Sequence, residues 1–242
     1  MSAPEIKGWC PGAYRPMMSG DGLVVRVRPF ASAISTQQAC DLANLSEICG
    51  NGFIDLTNRA NLQIRGVSQS NYMSLLEGLT KADLIDVDED IETKRNIVLT
   101  PFYKRGDRAH RLYFELVNRL PDFPRFPGKF GFSIDCGPSR VLQDTSADIR
   151  FETAIDGDIV VRADGNETGV SVTESEVIST ALELVDWFIA TKSDEVRRMA
   201  KHLQTVDLPS KFTGASPVAA TTPDQSRMLH IPFGQVSAQD LR

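Results

Sequence analysis

The sequence predicts an α+β chain, a ferredoxin-like half-domain followed by an α/β region, and three observations carry that expectation. "DGLVVRVRPF" alternates Leu23, Val25 and Val27 with Val24, Arg26 and Arg28, the period-two pattern of a strand with two unlike faces. Strand and helix patterns then take turns through residues 1–82 and again through 83–205. Finally, "VRVRPFASAISTQQACDL" is echoed about two hundred residues later by "LHIPFGQVSAQDL", the mark of an internal repeat.

The elements follow in order. The Gly20-Asp21-Gly22 turn opens the first strand. Ser35 and Gln38 have the spacing of a capping box, and Leu42, Leu45 and Ile48 recur at helical spacing. Gly50-Asn51-Gly52 ends that helix. "NRANLQIR", residues 58–65, reads as a strand with Ala60, Leu62 and Ile64 on its apolar back. Its other face would carry Arg59, Asn61, Gln63 and Arg65, a row of rigid, directional donors that an ordinary solvated strand does not need. A second helix over 69–79 completes a β-α-β-α unit of about 80 residues, the size of half a ferredoxin-like sandwich.

From Asp83 the chain turns acidic. "DVDEDIE" reads as a solvated loop, since it lacks the glycine and spacing of a calcium loop. A helix over 107–119 and strands over 129–135, 148–152 and 158–163 follow. Thr173 and Glu176 cap an amphipathic helix with Val177, Ile178, Ala181, Leu182, Val185, Phe188 and Ile189 on its apolar face, and another helix is expected over 193–203. The composition of 206–226 is that of a linker, and 227–242 reads as the start of a second, truncated ferredoxin-like half.

Charge restricts the functions. With 26 basic and 32 acidic residues the net charge is −6, against the basic excess of nucleic-acid or membrane-surface proteins. An anionic ligand must therefore be held by a local cluster. No apolar run approaches the roughly 20 residues of a membrane span, and "MSAPEIKGWCPG" lacks the apolar core of a signal peptide, so the expected location is the cytoplasm. Cys10, Cys40, Cys49 and Cys136 form no CxxC pair and read as reduced thiols. His110, His202 and His230 show no metal-ligand spacing.

Four motifs, "CPGAYRPMMSGDGLVVRVRPF", "GNGFIDLTNRANLQIRGV", "KRNIVLTP" and "FPGKFGFSIDCG", resemble the nitrite/sulphite reductase superfamily, and more closely its precorrin-3B synthase branch. The resemblance runs from about residue 7 onward, in the same order and at similar spacing. It implies two pseudo-symmetric halves, each a ferredoxin-like half-domain followed by a reductase-type α/β domain, with an anionic tetrapyrrole between them. It also implies that Thr57, Asn58, Arg59 and Gln63 line the tetrapyrrole, with Arg28, Arg95 and Lys129 near a small-anion site. Arginine suits such a ligand, because its planar fork meets a carboxylate with two donors.

The implied activity is oxygen- and NADH-dependent monooxygenation of precorrin-3A to precorrin-3B in aerobic cobalamin biosynthesis. The alternatives are half of a sirohaem-dependent sulphite or nitrite reductase, or a non-catalytic tetrapyrrole-binding remnant. Gly131 stands where a sulphite reductase has a second lysine, which argues against that substrate and suggests room for another reactant. The family's iron and [4Fe-4S] cluster would need ligands outside this chain, because the paired cluster cysteines are not in it. The resemblance thus leaves two expectations, a truncated product or a second chain supplying the C-terminal half.

Overall fold

The computed structural model describes residues 11–137, 139–219 and 231–242. Strands β1 (Met17–Ser19) and β2 (Gly22–Val27) form the first hairpin, and α1 (Thr36–Cys49) crosses to β3 (Phe53–Leu56). A second hairpin leads into β4 (Leu62–Val67), and α2 (Tyr72–Lys81) closes the unit. β4 inserts between β2 and β3, giving the split β-α-β arrangement of a ferredoxin-like half.

The alternation in β2 sets the layers. Val25, Ile64 and Ile54 lie side by side across β2, β4 and β3, and each is fully buried beneath the helices. Leu42 of α1 and Leu75 and Leu79 of α2 fill that core. Each contributes on the order of 1.5–3 kcal/mol by leaving water. The Ser35–Gln38 capping box forms, with both reciprocal hydrogen bonds. Ile48, expected on the apolar stripe, is instead 73% exposed, because α1 turns that position away from the sheet.

The second layer pair begins with α3 (Glu89–Lys94), β5 (Ile97–Leu99), α4 (Arg108–Arg119) and β6 (Phe132–Asp135). It continues through β7 (Ile149–Thr153), β8 (Ile159–Ala163), β9 (Val170–Val172), α5 (Val177–Thr191) and α6 (Met199–His202). The sheet order is β5-β6-β7-β8-β9, parallel up to β7 and antiparallel beyond. One face (Leu99, Ile134, Phe151, Val161) packs with α4 and α5 residues such as Leu112, Leu116, Leu184 and Phe188. The helix expected over 193–203 contracts to α6. Asp148 accepts from both Arg198 Nε (2.9 Å) and Met199 N (2.7 Å), and this tertiary anchor holds Arg198 extended.

Two segments depart from expectation. The part of 206–226 that is described, 206–219, is not a bare linker. Phe212 is buried in the second core, and Ala215 and Pro217 bridge to Gly169 and Ala154. Residues 231–242 carry β10 (Gln235–Ser237) and α7 (Ala238–Leu241); β10 pairs antiparallel with β3 and extends the first sheet.

The repeat is visible in the backbone. Phe30–Ser32, just after Pro29, and Pro232–Gly234 both form 3-10 turns with left-handed residues, Ala31 at φ 52° and Phe233 at φ 57°, one residue out of step with the Pro-Phe pair. Ser35 and Ser237 then cap α1 and α7. Their surroundings differ: Ala31 is buried in the second core, whereas Phe233 is fully exposed.

Candidate anion-binding site

The β3–β4 hairpin tip reaches the loops that precede β6 and β7 of the second sheet. Residues 58–61, expected in the strand, form the turn instead. Thr57 N donates to Asn61 O (2.9 Å), Thr57 Oγ1 accepts from Asn61 N (3.2 Å), and Ala60 adopts φ 52°. The polar row of the strand therefore begins at Gln63. Arg59 leaves the tip and donates to the Lys129 carbonyl (3.0 Å) and to Ser146 Oγ (2.7 Å), linking the first sheet to loops of the second. Asn58 and the Lys129 side chain are exposed, and Thr57 is half-buried.

Gln63 sits in a transverse row, Arg26–Gln63–Asp55–Gln235, on the sheet face away from the helices. Asp55 accepts from Arg65 Nη1 (3.0 Å) and Gln235 Nε2 (2.7 Å). A cleft of about 270 Å³ adjoins the hairpin tip, lined by Pro29, Ile34, Thr57, Ala60 and Asn61 among others.

Arg28 and Arg95 are buried, 5% and 2% exposed, and each meets a carboxylate. Arg28 Nη1 donates to Glu92 through its carboxylate and its carbonyl, and Arg95 Nε donates to Asp86 Oδ2 at 2.6 Å. The Arg95 guanidinium also lies 3.8 Å from the Phe30 ring centre, a cation–π contact. Burial pulls the Arg28 guanidinium below its ordinary pKa; Glu92 opposes this, and Arg26 and Arg95 add to it. The "DVDEDIE" run is therefore solvated only in part: residues 87–90 are exposed, but its two ends turn inward. Asp86 and Glu92 are counter-charges, and Asp88 caps α3 through the N–H groups of Asp90 and Ile91.

These pairs do not use every donor. Arg26 Nε, Arg28 Nε, Arg95 Nη2 and Asn61 Nδ2 are buried with no acceptor. A buried donor left open costs about 1–3 kcal/mol, so such a group is a candidate for a ligand acceptor.

Gly131 does not leave the room expected of it. A Cβ there would stand 2.5 Å from Asn96 Nδ2 and 2.6 Å from Asn96 O. Asn96 occupies the place of any side chain and donates to Phe130 O at 2.9 Å. The glycine is a close approach of backbone to a neighbour, not an opening.

Sequence reasoning missed Glu92, Asp86, Ser146 and Arg198. The first two lay in an acidic run whose partners are set by folding, and nothing local marks Ser146 or Arg198. Cys40 and Cys49 lie on α1 and Cys136 follows β6, and among the described residues no three His, Cys, Asp or Glu side chains gather as a metal site. A [4Fe-4S] cluster does not fit the described cysteines. The unpaired guanidinium and amide nitrogens of Arg26, Arg28, Arg95 and Asn61 are donors of the kind a carboxylate accepts from.

The fold is shared with part of a solved structure. The structure of the Mycobacterium tuberculosis NirA protein superposes with a TM-score of 0.58 at 18% identity, over 75% of this chain and 37% of that one. Residues 15–82 match the Nitrite/Sulfite reductase ferredoxin-like half domain. A Sinorhizobium precorrin-3B synthase is 40% identical over 78 residues, 32% of this chain and 17% of that one. A Synechococcus elongatus ferredoxin–nitrite reductase is 28% identical over 160 residues, 60% of this chain and 31% of that one. The chain spans less than a third of the length of these curated relatives. It is thus related to the nitrite/sulfite reductase superfamily, with precorrin-3B synthase among its relatives. Among the described residues no helix is long and apolar enough to cross a membrane.

Proposed function

We propose that this chain binds an anionic tetrapyrrole at the junction of its two domains, as part of a precorrin-3B synthase-type oxidoreductase that converts precorrin-3A to precorrin-3B. The observation that carries the reading is the set of buried, open donors on Arg26, Arg28, Arg95 and Asn61. Arg59, Gln63, Arg28 and Arg95 would meet the macrocycle's carboxylates; Thr57, Asn58 and Lys129 would border it. Oxygen and a reductant, ultimately NADH, would be the co-reactants, iron and a [4Fe-4S] cluster would have ligands outside the described residues, and the cytoplasm would be the location. The redox chemistry belongs to the cofactors, and this chain's part is to bind and orient.

The nitrite reductase relative matches over the longer stretch, 160 residues, and supports a second reading as part of a sirohaem-dependent nitrite or sulphite reductase. Titrating the purified chain with uroporphyrin III under anaerobic conditions tests the shared element: a shifted Soret band is expected, and no shift overturns tetrapyrrole binding. Oxygen-dependent turnover of precorrin-3A, set against reduction of nitrite or sulphite by a dye donor, then separates the two readings.

A further inference from the structure

We infer that Ser146 marks a carboxylate subsite built by Arg59 and Arg198, in which the serine hydroxyl holds the place of a ligand carboxylate. The inference rests on the reading of the junction as a tetrapyrrole site. Two guanidiniums converge on this one neutral oxygen. Arg59 Nη2 donates to Ser146 Oγ at 2.7 Å from the hairpin tip, and Arg198 Nη1 donates to it at 2.8 Å from the segment before α6. The two donor nitrogens are therefore no farther apart than those two bonds laid end to end.

A hydroxyl offers two lone pairs and no charge, and both lone pairs are taken. A carboxylate offers about four acceptor positions and a negative charge, and it meets arginine forks in the plane they prefer. Asp148 lies on the far edge of Arg198, where it accepts from Nε at 2.9 and 3.0 Å, and it also holds the N–H groups of Gly131 and Met199. Asp148 is completely buried and fixes Arg198 from behind, leaving the Nη1 edge turned to Ser146. Arg59, Ser146 and Arg198 are each only half-buried, so solvent and a ligand can reach them. Lys129, whose carbonyl receives Arg59, presents an exposed ammonium from the same loop. The chemistry selects a peripheral carboxylate of a planar polyanion.

Calorimetric titration with two probes tests this: uroporphyrin III, and mellitate, a planar hexacarboxylate with no macrocycle. Ser146→Asp delivers a built-in carboxylate to both guanidiniums and is expected to weaken both ligands about tenfold or more, the scale of one charge-assisted contact. Ser146→Ala removes the placeholder and is expected to bind at least as tightly as the parent chain. A serine with a merely structural role would weaken binding in both variants or in neither, and either pattern overturns the subsite. Should Ser146→Asp fail to fold, Ser146→Ala decides alone: tighter binding supports the subsite, and unchanged or weaker binding overturns it. Mellitate binding that is sensitive to Ser146→Asp, without any uroporphyrin binding, upholds the subsite and sinks the tetrapyrrole reading. Uroporphyrin binding indifferent to both variants does the reverse, and binding of neither probe overturns both.

Discussion

The two sheets of this chain each carry charges on one face and treat them differently. On the first sheet the row Arg26–Gln63–Asp55–Gln235 remains partly open, and Arg65 and Asp55 keep side-chain exposures of 33% and 19%. On the second, Ser133, Asp135, Arg150, Glu152 and Arg162 are all under 9% exposed. There Glu152 accepts from Arg140 and from Arg162 twice, and Arg150 is held by Asp164 and by the carbonyls of Leu142 and Thr145. Burial alone would raise the Glu152 carboxyl, yet Arg162 and Arg140 hold it below the ordinary carboxylate range. The closed face matches its arginines with carboxylates, although Ser133 Oγ and Asp135 Oδ1 stay unpaired there, whereas on the open face Arg26 Nε has no acceptor.

The largest expected effect sharpens this contrast. Glu152→Ala leaves the buried Arg162 and the partly exposed Arg140 without their carboxylate and should cost about 3–5 kcal/mol in urea unfolding. Asp55→Ala, on the open face, should cost no more than about 1 kcal/mol. Equal losses would break the comparison. Gly131→Ala should come next, destabilising by about 1–3 kcal/mol because its Cβ meets Asn96, which has hydrogen-bonded neighbours and little freedom to move. A neutral result would restore the idea of spare room at that position.

The smallest effect concerns pH. His202 is 1% exposed, bonds Thr191 Oγ1 at 2.8 Å, and packs against Trp187 and Phe188. Burial, with Lys192 adding, lowers its pKa below the ordinary 6.5. Between that lowered value and 6.5 the unfolded chain binds more protons than the folded one, so stability falls as pH drops through this window. Melting temperatures at pH 7 and pH 5.5 should differ more in the parent chain than in His202→Phe.

The sequence carried the local structure well. The capping residues Ser35 and Thr173 start helical segments where expected, and the alternation in β2 and β4 sorted core from polar face. It failed where distant partners decide. Asp86 and Glu92 belong to a run that looks solvated until Arg95 and Arg28 are brought against it. Ile48 fits a helical stripe that the sheet does not reach. Residues 58–61 alternate like a strand, but Thr57 turns them into a hairpin tip.

What the residues determined by themselves are the short-range features: periodicity, caps, the Pro-Phe turns repeated near Phe30 and Phe233, and the supply of arginines. Each depends on groups a few bonds apart, so the local sequence specifies it. Only the tertiary structure decided which arginines are matched by carboxylates, which keep open donors, and that Arg59 and Arg198 share Ser146. Those outcomes turn on burial and on contacts between residues as distant as Arg59 and Ser146, 87 positions apart, where desolvation sets the value of every charge.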